Sequence, residues 1–255
     1  MSLLDILFPK KCVGCKKFGE YLCPNCFATL SFAVSTTCLV CHKPSFNGMT
    51  HPKCKGKYVI DGYFAALNYK GVLKKLIYQF KYSPYLTDLQ TVLGDLLYEQ
   101  LIEDEEFMKI VQKDIVLIPI PLSKEKLRKR GYNHAEILAK NLGKRFGLSV
   151  QNMLKRTKET KPQYGLKREE RLENIKGAFA VIASKTSAAS KKQALSRVQF
   201  NKNMNKIAAS QAPRNDKIAL FVDDIVTTGS TLVEAANVLK RNGFEKVYGV
   251  ILAQD

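Results

Sequence analysis

The sequence predicts an α/β fold, a parallel sheet flanked by helices, behind a small N-terminal segment. Three observations lead there. From residue 58 onward, short apolar runs rich in β-branched residues alternate with longer runs of helical period, the pattern of strands joined by helical crossovers. One apolar run closes on two adjacent acids and a hydroxyl-rich turn. All seven cysteines lie before Lys55, six of them in Cys-x-x-Cys pairs. A chain of 255 residues accommodates one ordinary domain and something small. The expected division is therefore 1–57 and 58–255.

Met1 to Phe8 is apolar but lacks the basic front of a secretory leader and contains Asp5, so it reads as a short helix packing on its own protein. No run approaches the roughly twenty apolar residues that span a bilayer, and the expected location is cytoplasmic. Disulfides are rare in that compartment, which directs the cysteines toward metal. The pairs are Cys12-x-x-Cys15, Cys23-x-x-Cys26 and Cys38-x-x-Cys41, followed by His51-x-x-Cys54. Two residues between ligands let a tight knuckle aim both at one tetrahedral ion, so each pair supplies half of a zinc shell. Sequential pairing gives two closed, structural sites, or a single one if His51 is not a ligand. His42 is next to Cys41 and competes with His51 for the last place.

Farther along, Tyr58–Tyr69 reads as a strand or hairpin arm, and Val72–Phe80 and Leu86–Ile102 as helices. Asp114–Pro121 is a buried strand closed by prolines, and Asn133–Phe146 a helix ended by Gly147. Gly177–Ala183 is a short strand and Lys217–Val222 a fully buried one. A helix over Ser230–Arg241 and a strand over Lys246–Leu252 follow. Between them, Ser184–Asp216 is rich in Ser, Ala, Lys, Asn and Gln and reads as a flexible basic insertion.

The informative run is Leu220 to Thr231. An apolar strand ends in Asp223 and Asp224, and Thr227, Thr228, Gly229, Ser230 and Thr231 lead into a helix. Open parallel sheets bind ligands at the carboxyl ends of their strands. The turn offers backbone N–H groups, hydroxyls and a helix N-terminus to a phosphate. The two carboxylates stand ready for sugar hydroxyls or for a cation. A Walker-type loop is excluded because no Gly-Lys-Ser/Thr ending follows.

This run resembles the 5-phosphoribosyl-1-pyrophosphate motif of type I phosphoribosyltransferases. The paired cysteines, Pro119-Ile-Pro121-Leu122, Arg130-Gly131-Tyr132-Asn133 and Gln163-x-x-Leu166-x-x-x-x-Arg171-x-x-Asn174 resemble the ComF (ComFC/GntX-like) family across nearly the whole chain. The resemblance implies a type I phosphoribosyltransferase-like sheet behind a double zinc ribbon. It implies 5-phosphoribosyl-1-pyrophosphate with magnesium as ligand, with Asp223 and Asp224 at the ribose hydroxyls and Thr227–Thr231 around the 5-phosphate. It also implies a role in natural transformation, with single-stranded DNA as cargo and the DNA-uptake machinery at the inner membrane face as a partner.

Pyrophosphate needs its own donors. The run after Pro121 offers them, Ser123, Arg128 and Arg130 foremost, either as a pyrophosphate loop or as a solvated basic helix. Lys161–Asn174 reads either as a lid over the site or as a salt-bridged helix. If turnover occurs, it is displacement at the anomeric carbon, with the acids offsetting charge on the sugar. The formal net charge of +18 favours polyanionic partners. Part of that charge lies at Lys10, Lys11, Lys16 and Lys17, beyond what one small ligand requires. Tyr78-Gln-Phe80-Lys81-Tyr82 offers aromatics beside a cation, as base-stacking platforms or as core. The competing reading is a nucleobase or amine phosphoribosyltransferase of salvage or biosynthesis.

Overall fold

A computed structural model describes residues 9–32, 34–82, 89–160, 168–182 and 218–255. The expected helix at Met1–Phe8, the basic stretch Ser184–Asp216 and positions 161–167 of the expected lid lie outside the described residues.

In chain order the elements are α1 (Pro24–Phe27), β1 (Gly62–Asn68), α2 (Gly71–Tyr82), α3 (Leu89–Ile102), α4 (Glu105–Val111), β2 (Ile115–Pro119), α5 (Lys124–Arg130), α6 (His134–Phe146), β3 (Ser149–Val150), β4 (Leu154–Arg156), α7 (Arg168–Ile175), β5 (Phe179–Val181), β6 (Ile218–Val226), α8 (Ser230–Arg241) and β7 (Lys246–Gln254). Five strands form one sheet in the order β1-β7-β6-β2-β3, and every pairing in it is parallel. A parallel sheet covered on both faces needs strands apolar on both sides. Here β6 and β7 are buried almost from end to end.

The faces are covered differently. Leu73, Leu76, Ile77 and Phe80 of α2, the leucines of α3, Phe107 and Ile110 of α4, and Leu138, Ala139 and Leu142 of α6 pack on one face. Leu232, Ala235, Ala236 and Leu239 of α8 pack on the other, joined by Leu154 of β4 and Phe179 of β5. The β2–α6–β3 unit thus lies on one face and β6–α8–β7 on the opposite one, and the two units run outward in opposite directions from the β2/β6 pair. That pair is the switch point, where a crevice opens at the carboxyl ends.

Of the two readings open for Tyr58–Tyr69, the structure takes the strand, an edge strand that pairs in parallel with β7. Two elements differ from the sequence expectation. The strand within Gly177–Ala183 stays out of the main sheet and pairs antiparallel with β4. β6 continues through both acids to Val226, because β7 runs beside it to Gln254 and supplies ladder partners all the way. No helix among the described residues is long and apolar enough to cross a membrane.

Candidate functional site

The cysteine segment repeats one knuckle. In the first, Lys16 N–H donates to the Cys12 carbonyl at 2.8 Å and Cys12 N–H to the Lys17 carbonyl at 2.8 Å. In the second, His42 donates to Cys38 at 2.8 Å and Cys38 to Lys43 at 3.0 Å. Lys16 and His42 both take positive φ, 67° and 58°. His42 therefore occupies the turning position of its knuckle rather than a ligand position, which resolves its competition with His51.

Cys12, Cys15, Cys23 and Cys26 form one cluster and Cys38, Cys41, His51 and Cys54 another, with the ligand atoms of each within 4.8 Å of one another. This is the sequential pairing read from the spacing. His51 Nε2 lies 3.0 Å from the Pro44 carbonyl, which fixes the ring with Nδ1 3.2 Å from Cys41 Sγ. Burial pushes the Cys12 thiol up, but backbone N–H groups of Cys23, Cys15 and Gly14 outweigh it and bring it down to about 6. Cys26 is pushed up to about 12, chiefly by its hydrogen bond with Cys12. Such a group shares its protons unevenly, and a zinc ion supplies the charge that lets all its thiols ionise. The donor sets fit two structural zinc sites.

Asp223 and Asp224 stand at the carboxyl end of β6, next to the switch point. Successive residues of a strand face opposite sides, and their partners differ accordingly. Asp224, 8 % exposed, forms an ion pair with Lys81 Nζ of α2 at 2.9 Å. Asp223 feels Arg156 of β4, on the α8 side of the sheet. Burial and the neighbouring Asp224 carboxylate push Asp223 up to about 7, against the pull of the Asp224 N–H, Lys81 and Arg156.

The cradle follows directly. Gly229 takes φ 70°, and no side chain caps the α8 N-terminus that it opens. Thr228 Oγ1 donates to Ser230 Oγ at 3.2 Å, and Arg171 of α7 donates to Thr227 Oγ1 at 2.8 Å. Asp223, Thr227, Gly229, Ser230 and Thr231 line one concavity there. The structure thus brings Asp223 together with the hydroxyl turn that the sequence singled out, while Asp224 is paired with Lys81 and does not line that concavity.

The basic run after Pro121 is a helix, not a loop. Ser123 is buried and caps α5 by accepting from Lys126 N–H at 3.4 Å, and Gly131 ends the helix with φ 81°. The first amides of α5 are already engaged, since Glu159 Oε1 accepts from Glu125 N–H at 3.2 Å. Hydrogen bonding to Ser123 and to Glu125 N–H holds Glu159 below the usual carboxylate range. Arg128 is exposed, while Arg130 lies among Lys81, Lys126 and Arg156. Burial, then the charges of Arg156, Arg130 and Lys81, lower Lys126. Four positive side chains thus converge beside the acids.

The Arg130-Gly131-Tyr132-Asn133 sequence acquires a physical role. Tyr132 Oη donates to the Phe80 carbonyl at 2.6 Å, and His134 Nε2 reaches the same oxygen at 2.8 Å. Asn133 caps α6 and donates to the Ile120 carbonyl at 3.0 Å. Burial lowers His134 to about 4, which keeps the ring neutral. These bonds hold the end of α2, and with it Lys81, against the switch point. Lys81, Arg156 and His134 were not identified as site residues from sequence. Each comes from a separate element, and only the fold unites them.

Residues 3–55 match a double zinc ribbon domain. The chain is similar to Competence protein F of Haemophilus influenzae, at 28% identity over 92% of this chain and 86% of that protein. It is also similar to DNA utilization protein YhgH of Escherichia coli K12, at 25% identity over 69% of this chain and 64% of that protein. The YhgH of Shigella flexneri matches at the same identity and coverage.

Proposed function

We propose that this homologue of Competence protein F is a phosphoribosyltransferase-fold protein that binds 5-phosphoribosyl-1-pyrophosphate with magnesium and handles incoming single-stranded DNA during natural transformation. The observation that carries the ligand is the sequence Asp223-Asp224 on β6 running into an uncapped, hydroxyl-lined α8 N-terminus at the switch point. The 5-phosphate takes the first-turn amides and the hydroxyls of Thr227–Thr231. The ribose hydroxyls donate to the carboxylates, and the pyrophosphate meets Lys81, Lys126, Arg130 and Arg156. Magnesium offsets pyrophosphate charge when bound. The names of the relatives support a competence role, and a net charge of +18 suits a polyanionic cargo. The working location is the cytoplasmic face of the DNA-uptake machinery.

Calorimetry with 5-phosphoribosyl-1-pyrophosphate and magnesium tests the site. Asp223→Asn with Asp224→Asn weakens binding at least about tenfold, roughly 1.4 kcal/mol. Unchanged affinity in that double variant overturns the assignment. A deletion strain loses transformation and grows without added bases. A strain that transforms normally but requires a purine or pyrimidine would instead establish the salvage enzyme.

A further inference from the structure

We propose that the outer face of α2, with the first cysteine knuckle beside it, is the contact surface for single-stranded DNA. The proposal rests on the reading above that the chain handles such a strand, and names where.

The helix divides cleanly. Leu73, Leu76, Ile77 and Phe80 enter the core. Lys74, Tyr78 and Tyr82, at spacings of four, share one outward stripe. Tyr78 is 62% exposed and Tyr82 48%, whereas Phe80 between them is 2% exposed. The aromatic run in the sequence is therefore both core and platform, one residue apart. The two tyrosine rings lie 4.8 Å apart, tilted by 46°. Arg130 stands over the Tyr82 ring at 5.2 Å and donates to its hydroxyl at 3.3 Å, which steadies the far end of the ladder.

A groove of about 380 Å³ runs along this stripe, lined by Val13 and Lys16 of the first knuckle and by Tyr69, Lys74, Lys75 and Tyr78. Its surface is mostly apolar, yet three lysines rim it. Lys74 lies over the Tyr69 ring at 5.5 Å. Among the described residues no ion pair engages Lys16, Lys74 or Lys75. Exposed aromatic rings bordered by ammonium groups that no carboxylate neutralises suit a ligand of alternating flat apolar groups and phosphates. A duplex hides its base faces in the stack and has none to lay on the rings. An apolar peptide gains nothing from the lysines. Lys81, on the same helix, turns away to Asp224, so a strand lying on the stripe passes beside the acid site and leaves it open.

Fluorescence anisotropy with labelled oligothymidylate, on the full zinc-loaded chain, tests the surface. Tyr78→Ala weakens binding about tenfold and Tyr78→Phe restores it, since stacking needs the ring and not the hydroxyl. Lys74→Ala with Lys75→Ala lowers the log–log salt slope by about 1.4. Affinity for inorganic polyphosphate, which has no bases, is unchanged by Tyr78→Ala, and a matched duplex binds more weakly than the single strand. If wild type binds oligothymidylate and Tyr78→Ala and the lysine pair bind it equally well, the groove is wrong and the DNA reading survives. If wild type does not bind the oligonucleotide, the reading falls and the surface with it. A Tyr78→Ala protein that loses polyphosphate affinity in step also overturns the stacking role.

Discussion

Leu39, inside the Cys38-x-x-Cys41 knuckle, packs on Gly229 of the hydroxyl turn so closely that a Cβ on Gly229 would lie 2.5 Å from Leu39 Cδ2. The contact has support on both sides. Thr37 N–H donates to Tyr63 Oη at 3.2 Å, Tyr63 Oη donates to Gln254 Oε1 at 2.7 Å, and Gln254 Nε2 donates to the Ser35 carbonyl at 3.0 Å. The second knuckle is thus one wall of the turn.

Leu39→Ala removes that wall. It is expected to cost about 2–4 kcal/mol and to speed hydrogen exchange at the amides of Thr227 to Ser230 more than in β2 or α3. Equal protection of those amides in wild type and variant argues that the turn holds its shape unaided.

The zinc sites make a sharper demand. Purified protein is expected to hold two zinc ions per chain, one for each cluster. His51→Ala and Cys38→Ser each lose one, and His42→Ala loses none. Loss of an ion on removing His42, with His51→Ala fully loaded, would reverse the ligand assignment. Because metal binding supplies folding energy to such segments, Cys38→Ser also reproduces the exchange behaviour of Leu39→Ala.

Lys81 and Asp224 are expected to be coupled in stability. Their side chains are 15% and 11% exposed, so removing one partner strands a mostly buried charge. Lys81→Met is expected to cost about 3 kcal/mol, roughly 5–10 °C in melting temperature. Adding Asp224→Asn recovers most of it. Strictly additive losses in a double-mutant cycle would show that the two do not interact.

Asp223 gives the fold a pH dependence of uncommon sign. Its ordinary value is 3.8, and burial beside Asp224 raises it to about 7. Between those values the folded chain keeps a proton that the unfolded chain has released. This group therefore stabilises the fold most in acid, and its contribution is lost as pH rises through about 7. Asp223→Asn is expected to raise the melting temperature by something on the order of 5 °C near pH 8 and to change it little at about pH 4, near the unfolded-state value. A constant difference across that range, read by calorimetry, rules out the shift.

The contacts behind these predictions were unevenly legible in the sequence. Cys-x-x-Cys spacing is a local constraint, so both clusters could be paired from the chain alone. The strand, two acids, turn and helix of 218–241 are contiguous and equally readable. Lys81, Arg156 and His134 were not readable, because each reaches the acids from a different crossover and carries no local mark. The run 124–130 reads from its charge either as a loop or as a basic helix, and Ser123 before it and Gly131 after it are the ordinary helix start and stop signals that decide for the helix. Strand length was misjudged for a similar reason: Asp223 and Asp224 read as an end, while β7 supplies partners beyond them.

The place of β7 in the sheet bears on how the chain is made. β7 lies between β1 and β6, and the bond from Val247 N–H to Asp61 spans 186 residues. At ordinary ribosomal elongation rates roughly ten to forty seconds separate the synthesis of the two ends of that bond. Through that interval β1 has no neighbour, and the apolar edges of β1 and β6 stay open to other chains. A nascent chain stalled before Lys246 would therefore carry a folded knuckle segment beside an unclosed sheet, and it is at that stage that a holding chaperone has the most surface to cover.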